Sequence, residues 1–300
     1  MSSLAAALAN GPIVLDGGFA TQLEAQGADL SSELWSARLI AADPEQIVAA
    51  HTAFLAAGAR VIETATYQAT FEGFARFGVD HDAAADQMRA ATALARQASD
   101  TFHAASSDAM WVAASIGPYG AMLADGSEYT GAYDKSVAEL RDFHLPRLEV
   151  LANTDVDVLA LETIPNLAEV AAVVAATDQF DTPVWISICA EGSTTRAGEP
   201  LADAFAIAAT GRNVIAIGVN CSTATDVTAA VPMAAVHGLP VVVYPNSGEG
   251  WDANARAWTG AGDFDPTLVQ QWVRDGARLV GGCCRVRPAD ISQIAAALTN

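Results

Sequence analysis

The sequence predicts an α/β fold, a (β/α)8 barrel of the TIM type, formed as one domain over residues 1–300. Three observations carry that prediction. Eight apolar, β-branched runs recur along the chain, eight Ala-rich stretches of helical character alternate with them, and nothing interrupts the rhythm. The 300 residues also suit one such barrel, which takes about 250 with short connections. The runs are apolar throughout rather than at every second position, as expected of parallel strands covered on both faces. A doubly wound open sheet would carry a glycine fingerprint after its first strand, and Asp16-Gly17-Gly18-Phe19 does not match one.

Taken in order, the strand runs are residues 13–18, 59–66, 110–118, 156–165, 183–190, 214–222, 240–247 and 277–284. The helical stretches are 44–57, 81–104, 135–152, 166–176, 201–210, 224–237, 265–274 and 288–298. Asp43-Pro44 opens the first helix with a cap and a proline that needs no N–H, and Pro288 stands in the first turn of the last. Gly58, Gly238 and Gly276 follow helix ends, where a left-handed residue stops the helix. Three longer connections could fold over the barrel mouth: 20–42, 118–134 and 248–263.

Composition narrows the function. No apolar run reaches the roughly 18 residues of a membrane span, so no membrane partner is expected. Residues 1–10 lack the basic start of a secretory signal, and the expected location is cytoplasmic. Thirty-five acidic residues face fifteen basic ones, for a net charge of −20, which repels phosphate backbones and excludes nucleic acid as a partner. The same field favours a cationic small molecule. Four cysteines in such a chain speak for metal or thiol chemistry rather than a disulfide frame.

In a barrel of this kind the active site forms at the C-terminal ends of the strands. Cys221 closes the sixth run and Cys283-Cys284 closes the eighth, so three thiols meet at one end of the barrel. Soft thiolates select zinc, and three protein ligands leave the fourth tetrahedral position for a substrate. Three thiolates already donate heavily to the ion and make it a poor Lewis acid for hydrolysis. They suit holding a substrate thiol deprotonated yet nucleophilic, which points to alkyl transfer onto sulfur. Cys189, on the fifth run, reads as a small buried hydrophobe.

Around the thiols lie further strand-end groups. Asp16 and Glu162 could each accept from a substrate ammonium, and Glu63 is a third candidate; the alternative for each is an ion pair with an arginine such as Arg38. Gly17 and Gly18 would let backbone N–H groups approach a substrate carboxylate. Trp35, Tyr67, Tyr119 and Tyr244 could form an aromatic wall for a sulfonium or ammonium cation. The five histidines fall in or beside helices, away from the strand ends.

Several motifs together resemble the homocysteine S-methyltransferases, in particular the short stand-alone enzymes that use S-methylmethionine or S-adenosylmethionine. They are Leu15-Asp16-Gly17-Gly18-Phe19-Ala20-Thr21, Leu34-Trp35-Ser36-Ala37, Glu63-Thr64-Ala65-Thr66-Tyr67-Gln68-Ala69 and Gly117-Pro118-Tyr119-Gly120. Leu123-Ala124-Asp125-Gly126-Ser127-Glu128-Tyr129, Leu161-Glu162-Thr163-Ile164-Pro165 and Gly218-Val219-Asn220-Cys221 follow. The set ends with Val243-Tyr244-Pro245-Asn246-Ser247-Gly248-Glu249 and Gly281-Gly282-Cys283-Cys284, the most specific of them. The resemblance runs from residue 13 to residue 298.

It implies Zn2+ on Cys221, Cys283 and Cys284, with the sulfur of homocysteine in the open position. It further implies a substrate site that includes Asp16, Gly17, Gly18, Trp35, Tyr67, Glu162, Asn220 and Tyr244. Asp16 and Glu162 would hold the homocysteine ammonium and Gly17-Gly18 its carboxylate, with Trp35 and Tyr67 lining the channel. A sulfonium donor would be the second partner, with no protein general base. The betaine-using relatives carry a tyrosine where this chain has Thr163, which favours a sulfonium donor. Ile188-Cys189-Ala190-Glu191 departs from the family pattern after the fifth strand. Two alternatives stay open: a zinc methyltransferase acting on selenocysteine or another small thiol, and a barrel that binds zinc and thiol without turnover.

Overall fold

All eight runs become strands, and the observed strands are shorter than the runs because the last residues of each leave the ladder to build the barrel mouth. A computed structural model describes residues 2–29, 39–106, 108–252, 257–260, 262 and 265–299. The strands are β1 (Ile13–Val14), β2 (Val61–Glu63), β3 (Trp111–Ile116) and β4 (Val158–Ile164), then β5 (Val184–Ile188), β6 (Val214–Asn220), β7 (Val241–Tyr244) and β8 (Ala277–Val280). They are parallel, in the order β1-β8-β7-β6-β5-β4-β3-β2. A parallel bridge between Leu15 and Val61 brings β1 and β2 together. Arg60 N donates to Val14 O at 2.8 Å and Asp16 N to Val61 O at 3.0 Å, closing the ring.

Between and after the strands run helices α1 (Pro44–Ala56), α2 (His81–Ser106), α3 (Val137–Ala152), α4 (Leu167–Thr177), α5 (Leu201–Ala208), α6 (Ala224–Ala235), α7 (Thr267–Asp275) and α8 (Pro288–Thr299). Three start later than the sequence predicts, because the expected first residues serve as caps, as Asn166 does for α4 by taking the Glu169 N–H. Ser136 and Glu139 form a reciprocal capping box ahead of α3, and the Asp265 carboxylate takes the Thr267 N–H ahead of α7. Gly58, Gly238 and Gly276 have the positive φ expected of them. No helix among the described residues is long and apolar enough to cross a membrane.

The core has two layers, divided by the strands. Val170, Phe205, Val231, Val269, Trp272 and Ile291 belong to the outer layer, where helices pack on the barrel. Inside it, Val61, Ala113, Ala160, Trp185, Ala216, Val242 and Leu279 form an apolar layer. Two residues further along, side chains of the same alternation become polar: Glu63, Ser115, Glu162 and Ser187. The barrel interior therefore changes from hydrocarbon to carboxylate and hydroxyl toward its C-terminal end.

The opposite end is closed by the helix Leu4–Asn10. Its Leu4 and Leu8 join the inner apolar layer, and Trp111 Nε1 donates to Ser2 O at 3.1 Å. The sequence predicts no element for this stretch; the structure makes it a plug. Other short pieces also lie beyond what periodicity shows. Phe19–Ala25, Leu39–Ala42, Phe71–Arg76 and Tyr119–Leu123 are helices of seven residues or fewer. Two hairpins pair Ala190–Glu191 with Thr194–Thr195 and Gly250–Asp252 with Ala257–Thr259.

Candidate metal centre and substrate site

β6 and β8 flank β7 at the C-terminal end, and the loops after them bring three sulfurs together. Cys221 Sγ lies 3.7 Å from Cys284 Sγ, Cys283 Sγ lies 4.0 Å from Cys284 Sγ, and all three fall within 4.8 Å of one another. Three thiolates on a tetrahedral zinc, with bonds of about 2.3 Å, would sit about 3.8 Å apart. The residues present fit such an ion. Backbone bonds fix each cysteine: Cys221 N to Tyr244 O at 3.1 Å, Cys283 N to Pro245 O at 2.7 Å and Cys284 N to Asn246 Oδ1 at 3.2 Å. The segment after β7 is thus the template on which both cysteine loops are laid. Thiol bonds from Cys221 and Cys283 hold the Cys284 thiol well below its ordinary pKa, and the Cys283 thiol rises correspondingly.

The backbone is strained at the same place. Among non-glycine residues, Thr163, Cys221 and Arg285 have φ of 59°, 50° and 65°. Each lies just inside or beyond a strand end that borders the thiols, and such conformations persist only where surrounding bonds impose them. At Thr163 the bonds are visible. The β4–β5 register shifts between Leu161 and Ile164, and Asn220 Oδ1 takes the freed Thr163 N–H at 2.7 Å. Asn220 also receives from Ser187 Oγ at 2.8 Å and donates to Thr163 Oγ1 at 2.8 Å and Glu162 Oε2 at 3.4 Å. A bulge of this kind re-aims the side chain beside it, here Glu162.

Three carboxylates gather below the thiols. Glu162 receives a short bond from Ser115 Oγ, and burial pushes its carboxyl up to about 7. Asp16 and Glu63 are raised well above the usual carboxylate range, first by burial, and for Asp16 against the Glu63 N–H bond at 2.9 Å. The negative charge of Glu162 raises both. Asp16 Oδ1 and Glu63 Oε1 are buried without a hydrogen-bond partner. Among the described residues no arginine or lysine forms an ion pair with any of the three. Arg38, the partner considered from sequence, and Trp35 lie outside the described residues. Arginines do appear at the rim: Arg285 Nε donates to Glu249 at 2.6 Å and reaches Glu24 at 3.6 Å, tying the β8 loop to its neighbours.

Several expected site residues take other places. Gly18 N donates to Val286 O at 2.9 Å, so that N–H is not available to a substrate carboxylate. The two glycines answer to packing. A Cβ at Gly17 would stand 2.7 Å from the Phe54 ring, and one at Gly18 2.6 Å from Cys283 O. Tyr244 is fully buried, its hydroxyl 2.6 Å from Ser187 Oγ and 3.1 Å from Trp185 Nε1; it supports the carboxylates from below rather than walling a channel. Tyr119 packs on Tyr133 and Phe143, away from the thiols. Tyr67 does face them, its hydroxyl raised by burial and by the charges of Glu128 and Cys221. Cys189 is buried and donates weakly to Cys221 O at 3.4 Å.

Two residues had no role assigned from sequence. Tyr129 Oη lies 3.7 Å from Cys221 Sγ, so the loop after β3 does reach over the mouth. Glu128, beside it, is buried, and burial lifts its carboxyl to about 7, helped by the charges of Cys221 and Asp125. Their motif was visible, but only the fold brings residue 129 to residue 221.

The homocysteine S-methyltransferase family model matches residues 13–298. The chain is 42% identical to homocysteine S-methyltransferase from Escherichia coli, covering 95% of this chain and 94% of the relative. It is 41% identical to homocysteine S-methyltransferase YbgG from Bacillus subtilis, covering 95% and 93%. It superposes on the metallated form of the homocysteine methyltransferase MmuM from Escherichia coli with a TM-score of 0.85 at 39% identity, covering 95% and 96% of the two chains. The chain belongs to the homocysteine S-methyltransferase family.

Proposed function

We propose that this protein transfers a methyl group from a sulfonium donor, S-methylmethionine or S-adenosylmethionine, to homocysteine, giving methionine. The observation that carries the reading is the trio Cys221, Cys283 and Cys284, at the spacing a tetrahedral zinc requires and beside Asp16, Glu63 and Glu162, which have no cation among the described residues. Cys221, Cys283 and Cys284 would hold zinc, which would supply a fourth coordination position for the substrate sulfur and favour its thiolate at neutral pH.

The protein side chains then do the positioning. Asp16 and Glu162 receive the homocysteine ammonium, and Glu63 adds negative charge beside them. Ser115 and Asn220 set the direction of the Glu162 carboxylate, and Tyr244 and Ser187 carry Asn220 from beneath. Tyr67 and Tyr129 border the space above the thiols, where a sulfonium meets ring faces and a negative field. The homocysteine sulfur attacks the donor methyl carbon, forming one C–S bond while the bond to the donor sulfur breaks. The donor leaves as a neutral thioether. The thiol proton has gone to solvent beforehand, so no general base is required.

The test is methionine formation by reduced, zinc-loaded protein from homocysteine, with each sulfonium donor and betaine in parallel. Two methionines formed per S-methylmethionine consumed is the expected result, since the demethylated donor is itself methionine. About one zinc per chain with no product from any donor would overturn the reaction and move the assignment to another thiol or to binding alone.

A further inference from the structure

We infer that Glu128 is the residue that holds the cationic methyl donor over the thiol centre and sets the preference for a positively charged one. The inference rests on the sulfonium reading above and names a site within it. Glu128 sits in the short 3-10 turn Ser127–Tyr129, in the loop after β3. That turn is locked in place. Tyr129 N donates to Gly126 O at 3.0 Å and Gly131 N to Ser127 O at 2.8 Å. Against it packs Gly120, where a Cβ would stand 2.4 Å from Glu128 N. The next residue, Tyr129, puts its hydroxyl 3.7 Å from Cys221 Sγ, which fixes the turn above the thiols.

The carboxylate itself is anomalous for a surface loop. Glu128 is 4% exposed, its Oε2 is buried without a hydrogen-bond partner, and among the described residues it forms no ion pair. A carboxylate withdrawn from water without a counter-charge is destabilised by desolvation, and the turn offers it only its own backbone N–H. Its electrostatic neighbours are Asp125 on its own loop and, at the thiol centre, Cys221 and the Tyr67 hydroxyl.

The reaction brings two molecules that each carry an ammonium, and the donor adds a sulfonium. Asp16, Glu63 and Glu162 form one acidic set within the barrel, in which the charge of Glu162 acts on the other two. Glu128 stands in the loop above, and Tyr67 feels the charge of both Glu128 and Glu162. With the inner set committed to the acceptor, the outer carboxylate is left for the donor. A thioether without positive charge would leave it buried and unpaired, which is the physical basis of the preference.

Glu128→Gln keeps size and shape and removes only the charge. Losing a charge-assisted contact predicts a Kd for S-methylmethionine weakened about 10- to 100-fold. It should leave homocysteine affinity, metal content and the unfolding midpoint unchanged, and Glu128→Asp should retain part of the donor affinity. Titration calorimetry of S-methylmethionine, and separately of homocysteine, into wild type and both variants reads each affinity without turnover. Unchanged donor affinity, or a loss confined to homocysteine, would overturn the inference. So would unfolding of both variants, because the carboxylate would then serve the turn. Wild-type protein that binds S-methylmethionine through Glu128 but forms no methionine would defeat the proposed reaction and leave this inference standing. Wild type that binds no sulfonium would end both.

Discussion

Two groups of buried acids lie on either side of the barrel wall, and they differ in who completes them. Outside it, between α3 and α4, Glu169 is wholly buried and fully answered by the protein. It receives Tyr119 N at 2.6 Å, His144 Nε2 at 2.8 Å and the Tyr133 hydroxyl, and the charge of Arg147 lies just behind His144. Inside the mouth, Asp16, Glu63 and Glu162 face one another with no cation among the described residues, and there two of their oxygens have no hydrogen-bond partner. Burial alone therefore does not mark a functional acid. What distinguishes the two groups is whether the described residues supply a counter-charge. The outer group pins the loop after β3, which carries Glu128 and Tyr129, so the satisfied acids hold the frame around the unsatisfied ones.

This contrast can be broken at either end. The largest effect is expected at the thiols: Cys283→Ser should abolish metal binding and methionine formation together while the barrel stays folded. Elemental analysis, a product assay and a circular-dichroism melt on the same preparation check it, and activity in a verified metal-free variant would refute the zinc mechanism. Next, Glu169→Ala should destabilise the protein by about 3–5 kcal/mol, because it leaves Arg147 buried without its counter-charge. Urea unfolding reads the loss, and calorimetry with homocysteine should show little change. If homocysteine affinity fell more than stability did, the outer group would not be structural.

Around Glu169, His144 sets a pH dependence of stability. Burial, with the adjacent charge of Arg147, lowers the His144 pKa to about 4 from the ordinary 6.5. The 2.8 Å contact with Glu169 is thus the bond of a neutral imidazole protonated on Nε2, whose Nδ1 accepts from Arg147. The unfolded chain binds this proton more readily, so stability falls as pH drops from about 6.5 toward 4, by on the order of 3 kcal/mol. His144→Gln keeps a donor toward Glu169 and should flatten that part of the stability profile; an unchanged slope would mean the acid loss arises elsewhere. The smallest effect is at Glu162. Glu162→Gln should weaken homocysteine binding about 10- to 100-fold and leave metal content and stability as they were. Equal loss of zinc and homocysteine would place Glu162 among the supports of the metal rather than of the substrate.

Strand and helix positions were legible because burial on both faces writes a continuous apolar run and helices write their caps, both local properties of the chain. The three thiols were legible for the same reason: each follows a strand, and in a barrel all strand ends of one sense meet at one rim. Other assignments needed coordinates. Tyr244 and Tyr119 look alike in sequence as aromatics at strand ends, yet one faces inward under the carboxylates and the other packs outward on Phe143. Gly18 looked like an open N–H, and a carbonyl 268 positions later in the chain, Val286 O, occupies it.

The sequence by itself determined the ring of strands, the rim at which chemistry collects and the thiol ligands offered to a metal, because alternation and strand ends depend on near neighbours. Tertiary structure alone decided which acids lie without a counter-charge among the described residues, since that depends on where arginines fall in space, not along the chain. It also decided that Glu128 and Tyr129 reach Cys221. Loop closure over the mouth joins residues about ninety positions apart, and no local pattern records that meeting.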